Sequence, residues 1–329
     1  MKRRSMLRLT GGAALGTALP AIAQTRRLPR LGFLGNMPLT DPGSAADWKA
    51  IHANLKELGW EEGRNLIIER RFAVDDFSKF PGHAKELVAA GVDVIFAPSN
   101  DRLAAAYAAT KSIPIVTAAL GIVELGYAKS LAHPGGNVTG FELQSLEFAG
   151  KYFDLLYSIR PGLKRFGLCG PHAAPSMKAY TKAMQGAANT QGVSVVPLPN
   201  LLTMADIEPL LAAAKREGVQ AIALVGGRNF LWGPGLQRIQ AWAIENKVLA
   251  SSATRIPRGE MLLAAGPTFE ELGRVSWRAV DRILRGAKPA DIPIEQPTRF
   301  EILISRKIAR VMGITIPQSV LVQATEVID

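Results

Sequence analysis

The chain has one cysteine, Cys169, among 329 residues, which excludes an intrachain disulfide; its position also excludes a lipid-modified cysteine near the amino terminus. Histidine is almost as scarce. His52, His83, His133 and His172 stand too far apart to read as a metal-ligand set, and the spacing predicts helix-surface or turn positions for the first three. There is no Gly-x-Ser-x-Gly elbow, no His-Glu-x-x-His pair and no clustered Cys/His group. With no nucleophile and base to assign, the sequence predicts no catalysis, no cofactor and no metal. Aromatic residues are only 7% of the chain, and its basic residues form no aromatic-interleaved stripe, which argues against nucleic-acid binding. No apolar run reaches the roughly 20 residues that a membrane span requires.

What is present is apolar bulk: 48% of residues, in a chain long enough to build two lobes, each with its own core. The first residues carry Lys2, Arg3, Arg4 and Arg8, then a Gly-diluted apolar run from Leu9 to Leu19, then Ala21-Ile22-Ala23. That is the layout of a secretory leader over residues 1–23, cleaved near Ala23. The Arg3-Arg4 pair and Gly11, Gly12 and Gly16 fit the twin-arginine route, and the general secretory route fits as well. Formal charge is +11, and a leader that takes its four basic residues with it leaves +7. Spread over the surface, that charge reads as solvation, with a weak attraction for anions. The expected location is the periplasm and the expected state a monomer.

From Arg30 onward, short apolar strands alternate with longer amphipathic segments, the pattern of parallel sheets covered by helices. In the first half, strands are expected at Leu31–Gly35, Leu66–Arg71, Val92–Ala97 and Ile113–Thr117, with helices at Ala45–Leu58, Ser78–Ala90 and Asp101–Thr110. Gly59 and Gly91 suit helix ends, and Ser99 or Asn100 suits a cap. The second half repeats the plan from a helix at Leu146–Ile159 to a strand at Met261–Ala265. A strongly amphipathic helix follows at Phe269–Arg285, then a strand at Arg299–Ser305, and then a helix and a packed tail. The fold class is therefore α/β, with two Rossmann-like lobes whose parallel sheets are joined by a hinge. One lobe is expected to take 28–142 plus 266–295, the other 143–265 plus 296–329. The joins are expected near Gly135 to Phe141 and near Gly266-Pro267.

The run Gly135-Gly136-Asn137-Val138-Thr139-Gly140 superficially resembles a phosphate loop, but Phe141-Glu142 follow where a lysine belongs. It reads as a tight turn into a crossing strand. Asn137-Val138-Thr139 matches a glycosylation acceptor, which a bacterial-type leader makes irrelevant. Ligands of such sheets bind beyond the carboxyl ends of the strands. The candidate binding residues are therefore those just after the strands: Asn36, Met37, Ser99, Asn100, Ala119, Gly121, Gly170, His172, Gly227, Arg228, Asn229 and Arg255. The small residues let backbone amides approach a ligand. Arg228 and Arg255 are the cations suited to hold a carboxylate, with a structural salt bridge as the alternative for each. Tyr107, Phe230 and Trp232 are candidates for an aromatic wall, with ordinary packing as the alternative.

Three stretches carry a family resemblance: Leu55-Lys56-Glu57-Leu58-Gly59-Trp60-Glu61-Glu62-Gly63-Arg64-Asn65, Leu131-Ala132-His133-Pro134-Gly135-Gly136-Asn137-Val138-Thr139-Gly140, and Ile283-Leu284-Arg285-Gly286-Ala287-Lys288-Pro289-Ala290-Asp291-Ile292-Pro293. With Leu31-Gly32-Phe33-Leu34-Gly35, they make the chain resemble the ABC substrate-binding family that includes tryptophan and tyrosine binding proteins. The resemblance implies a type I periplasmic binding-protein fold, hinge closure on a small-molecule solute, and delivery to an ABC permease and its ATPase. It implies no enzymatic step. Relatives commonly carry Gly-Asp-Pro where this chain has Ala119-Leu120-Gly121-Ile122, and Asp-Pro-Phe-Phe where it has Gly227-Arg228-Asn229-Phe230. Losing acids and gaining a cation points toward a carboxylate-bearing solute, with an aromatic group compatible, and away from an ammonium. Two other classes fit the sequence: a periplasmic sensor subunit that presents its solute to a membrane receptor, and a secreted hydrolase or isomerase, for which no nucleophile is identifiable.

Overall fold

The computed structural model describes residues 27–36, 42–74, 76–143, 145–170, 175–201, 204–225, 234–253, 261–267 and 269–329. The first half of the chain builds β1 (Arg30–Gly35), α1 (Pro42–Glu57), β2 (Ile67–Phe72), α2 (Phe80–Ala89), β3 (Val94–Phe96), α3 (Asn100–Ala109), β4 (Ile115–Ala119) and β5 (Val138–Glu142). These strands form a five-stranded sheet in the order β2-β1-β3-β4-β5, parallel throughout. Every residue of β3, β4 and β5 is buried, as expected where helices cover both faces of a parallel sheet. Ser99 caps α3 by accepting the Arg102 N–H, and Gly59 and Gly91 follow the first two helices with positive φ.

The second half gives α4 (Ser145–Ile159), β6 (Arg165–Cys169), α5 (Pro175–Asn189), β7 (Ser194–Leu198), α6 (Ile207–Arg216), β8 (Ala221–Leu224), α7 (Pro234–Glu245), β9 (Leu249–Ser252) and β10 (Leu263–Pro267). The chain ends in α8 (Phe269–Leu284), β11 (Phe300–Ser305), α9 (Arg306–Met312), α10 (Gln318–Leu321) and β12 (Glu326–Ile328). The second sheet has seven strands, in the order β12-β11-β10-β9-β8-β6-β7. Its β6 to β10 run parallel to one another, whereas β11 pairs antiparallel with β10. The two parallel-sheet lobes are as expected, with β11 as an antiparallel addition to the second sheet. Having left at the carboxyl end of β10 and run α8 along the first lobe, the chain re-enters the second sheet from that same end, so β11 must run the other way.

Two expectations are corrected. Residues 138–142, read as a strand crossing between lobes, form β5 and pair with β4 in full register, from Ile115 opposite Val138 to Ala119 opposite Glu142. The tail also holds β12, which pairs with β11. Several strands begin about two residues later than the apolar pattern suggests. Before β4, the Thr110 hydroxyl accepts the N–H groups of Ser112 and Ile113 and ties that stretch into a turn.

α8 packs on the first sheet although its sequence follows the second. Trp277 lies 4.6 Å from Phe96 between ring centroids, and Val275 clusters with Ala118 and Phe141. α4 covers the second sheet, where Phe148 stacks on Phe300 at 4.3 Å and the Tyr152 hydroxyl donates to Ser251 Oγ at 2.7 Å. Between α8 and β11 the returning chain runs beside β5: Thr139 Oγ1 donates to the Ile292 carbonyl (2.7 Å), Glu295 N–H to Gly140 (3.0 Å) and Glu142 N–H to Glu295 (2.8 Å). At the start of α8, Glu271 accepts from the N–H and hydroxyl of Thr298 at 3.1 and 2.6 Å. Burial pushes the Glu271 carboxyl up, but these bonds outweigh it and hold the group below the ordinary carboxylate range.

Candidate functional site

Both sheets share one local order, β2-β1-β3 and β7-β6-β8. Connections leave β1 in one direction and return on its other side, and the same holds at β6. This reversal opens a crevice at the carboxyl ends of the strands. The predicted site residues within the described part of the chain gather at those ends.

On the first sheet, Asn36 follows β1. Its carbonyl accepts the Val74 N–H at 2.8 Å, and its side-chain Oδ1 is buried without a hydrogen-bond partner. Val74, just past β2, is about half exposed and holds φ +39°, a left-handed conformation that is costly for a β-branched residue. Strain of that kind concentrates at binding sites. Ser99 is occupied as the α3 cap. Asn100 donates through Nδ2 to the Leu120 carbonyl (2.7 Å) and accepts the Leu120 N–H through Oδ1 (3.1 Å), so its amide braces the turn after β4. Ala119 is fully buried and its carbonyl takes the Leu143 N–H at 2.9 Å.

Gly121 corrects the idea that small residues leave their amides open. Its N–H donates to Glu142 Oε1 and the Ile122 N–H to Glu142 Oε2, both at 2.7 Å. Glu142 is 7% exposed and sits at the carboxyl end of β5. Sequence reasoning missed it, although a lone acid closing an otherwise apolar strand is a usable signal. An acid is therefore present at the end of β4, supplied by the neighbouring strand.

On the second sheet, Gly170 follows β6 and is packed: a Cβ there would come within 2.7 Å of the Met177 methyl and 3.4 Å of the Val225 carbonyl. Met37, His172, Gly227, Arg228, Asn229 and Arg255 lie outside the described residues, as do Phe230 and Trp232. Tyr107 sits two turns down α3, away from the strand ends, edge-on to Tyr127 at 5.0 Å and under the Lys111 ammonium, so it packs and does not wall the crevice. Asn137, in the glycosylation-like triplet, is buried and spends its amide on the Thr110 and Ile113 carbonyls. His52 contacts Glu62 at 3.1 Å, while the His83 ring nitrogens are buried without hydrogen-bond partners.

Solved structures share this architecture. A conserved domain protein of Vibrio cholerae superposes with a TM-score of 0.78 at 22% identity, over 92% of this chain and 100% of that one. An ABC domain from Streptococcus pneumoniae in complex with L-Trp gives 0.76 at 23% identity, over 92% and 100%. The two α/β lobes thus form a periplasmic-binding-protein fold. Residues 36–328 match the family described as ABC transporter substrate binding protein, and the chain belongs to it. A relative from Clostridioides difficile named tyrosine-binding protein is 28% identical over 262 residues, 76% of this chain and 72% of that protein. The chain is accordingly a substrate-binding protein and not an enzyme. No helix among the described residues is long and apolar enough to cross a membrane.

Proposed function

We propose that this chain is the solute-capturing component of an ABC uptake transporter, exported to the periplasm with its leader cleaved near Ala23. It works as a monomer and hands a small organic solute to a permease and its ATPase. The observation that carries this reading is the family match across residues 36–328, on a fold whose two crevices are formed by equivalent strand ends. One lobe comprises 28–142 plus 266–295, the other 143–265 plus 296–329. The solute sits between them, against Asn36, Met37, Ser99, Asn100, Ala119 and Gly121 on one side and Gly170, His172, Gly227, Arg228, Asn229 and Arg255 on the other. Touching both lobes, it binds the closed arrangement better and so shifts the equilibrium toward closure.

The solute carries a carboxylate, amino-acid-like or otherwise, and its remaining group can be aromatic. Arg228 and Arg255 are the anchors for the carboxylate. The kinship to a tyrosine-binding protein supports this chemistry. The test is native mass spectrometry of the mature protein isolated gently from periplasm, then thermal unfolding against a panel of amino acids and aromatic and aliphatic acids. A retained small mass or a shift with acids supports the reading. Stabilisation by tryptophan alone, with no response to any acid that lacks an ammonium, would instead show that the site requires the ammonium group as well as the carboxylate. No retained mass and no shift with either class removes the solute class altogether.

A further inference from the structure

The backbone amides of Gly121 and Ile122 converge on one carboxylate, and that carboxylate belongs to the chain itself. Gly121 holds φ +66°, and this left-handed step lets two successive N–H groups point to the same side, the arrangement that elsewhere cradles a bound anion. Each donates to a different oxygen of Glu142 at 2.7 Å. Removing a carboxylate from water costs several kcal/mol unless charge-assisted bonds replace the solvent, and the two amides do so. The converse holds for the turn: Ile122 is fully buried, and without the carboxylate its N–H would have no acceptor.

We infer that Gly121 and Ile122 form an anion hole filled in cis by Glu142, which makes Glu142 the positioning residue of the turn that the solute meets. The second half of this statement rests on the proposed solute site. With Asn100 holding Leu120, side chains fix three consecutive residues of that turn. Glu142 also donates its own N–H to the Glu295 carbonyl, so one residue joins the turn after β4 to the segment that leads from α8 to β11. The amides of Leu120, Gly121 and Ile122 are all spent, so a solute carboxylate is received elsewhere in the crevice. An outside anion can enter this hole only if Glu142 is removed.

The experiment compares thermal unfolding of the wild-type protein, Glu142→Ala and Glu142→Gln in sodium formate and in sodium chloride of equal ionic strength. In chloride, Glu142→Ala is expected to melt lower than wild type by roughly 5 °C or more, and formate recovers a large part of that loss. Wild type and Glu142→Gln, whose side chains fill the hole, show no formate-specific gain. A Glu142→Ala protein indifferent to formate, or a wild type that gains equally, overturns the anion hole. If Glu142→Ala does not fold in chloride, its refolding yield is compared instead: a higher yield in formate than in chloride supports the hole, and equal yields overturn it. For the positioning role, the solute that stabilises wild type is titrated into Glu142→Ala. Binding weakened tenfold or more in chloride and restored by formate supports it, and unchanged affinity overturns it. Should wild type respond to no solute offered, the proposed function fails while the formate response still decides the hole.

Discussion

At position 140 a Cβ would lie 2.0 Å from the Thr117 carbonyl oxygen, and the backbone holds φ +136°. No rotamer change relieves a clash with backbone, so Gly140→Ala must pull β4 and β5 apart. Gly140→Ala is expected to be insoluble or to melt more than about 10 °C below wild type, whereas Gly136→Ala, whose Cβ would meet only one carbonyl at 4.0 Å, stays close to wild type. Equal melting of the two variants would refute this. Cys169 ties stability to pH. Burial pushes its thiol up to about 12, and Sγ donates to the Pro199 carbonyl at 3.1 Å. An unfolded thiol ionises near 8.5, so the folded state keeps its proton where the unfolded state has lost it. The stabilising contribution is whole below about pH 8.5 and is lost as pH rises toward the folded value, by up to about 1.4 kcal/mol per unit. Denaturant midpoints measured from neutral pH to about pH 10 are expected to fall less steeply for Cys169→Ala than for wild type. Parallel lines would contradict the assignment. The buried hydroxyls of Tyr152 and Tyr180 are pushed up as well, but they add to the loss only above their ordinary value near 10.

At the scale of elements, α8 shows how stability is divided. Its buried face places Trp277 on Phe96 and Val280 and Ile283 in the first-lobe core, while Arg278 pairs with Glu295 in the open at 3.1 Å. Trp277→Ala is expected to cost about 3–5 kcal/mol by cavity formation, and Arg278→Ala less than about 1 kcal/mol. Urea titrations separate the two, and comparable losses would mean that α8 is held by its charges. The helices were readable because their apolar stripes and their stops, such as Gly59 and Gly91, obey local rules. Strand roles were less readable. Val138 to Glu142 has the same composition whether it crosses between lobes or pairs with β4, and only the long-range register decides. Three residues, Glu326 to Ile328, carry too little pattern to announce β12. Glu142 escaped notice for a related reason: its partners, the N–H groups of Gly121 and Ile122, lie twenty-one and twenty residues earlier and have no side-chain signature.

Across the whole molecule, the two lobes of the proposed division should respond to solute as a hinge. The solute that raises the melting temperature is expected to lower the radius of gyration in X-ray scattering, and a stabilising solute that leaves the scattering curve unchanged would argue against closure. The threading of α8 and β11 also governs how the protein is made. The first five strands leave the ribosome early, yet Trp277 and Val275, which cover them, follow only after the second sheet is under way. That sheet in turn lacks two of its seven strands until Phe300 to Ile328 have emerged. Neither lobe can finish folding until the last part of the chain has emerged, so the nascent chain carries bare apolar faces for most of its length and, once β10 is out, the open edge of β10 until β11 follows. Transiently exposed apolar surface and an unpaired strand edge of that kind favour aggregation, so late completion of both sheets is a point of vulnerability during synthesis.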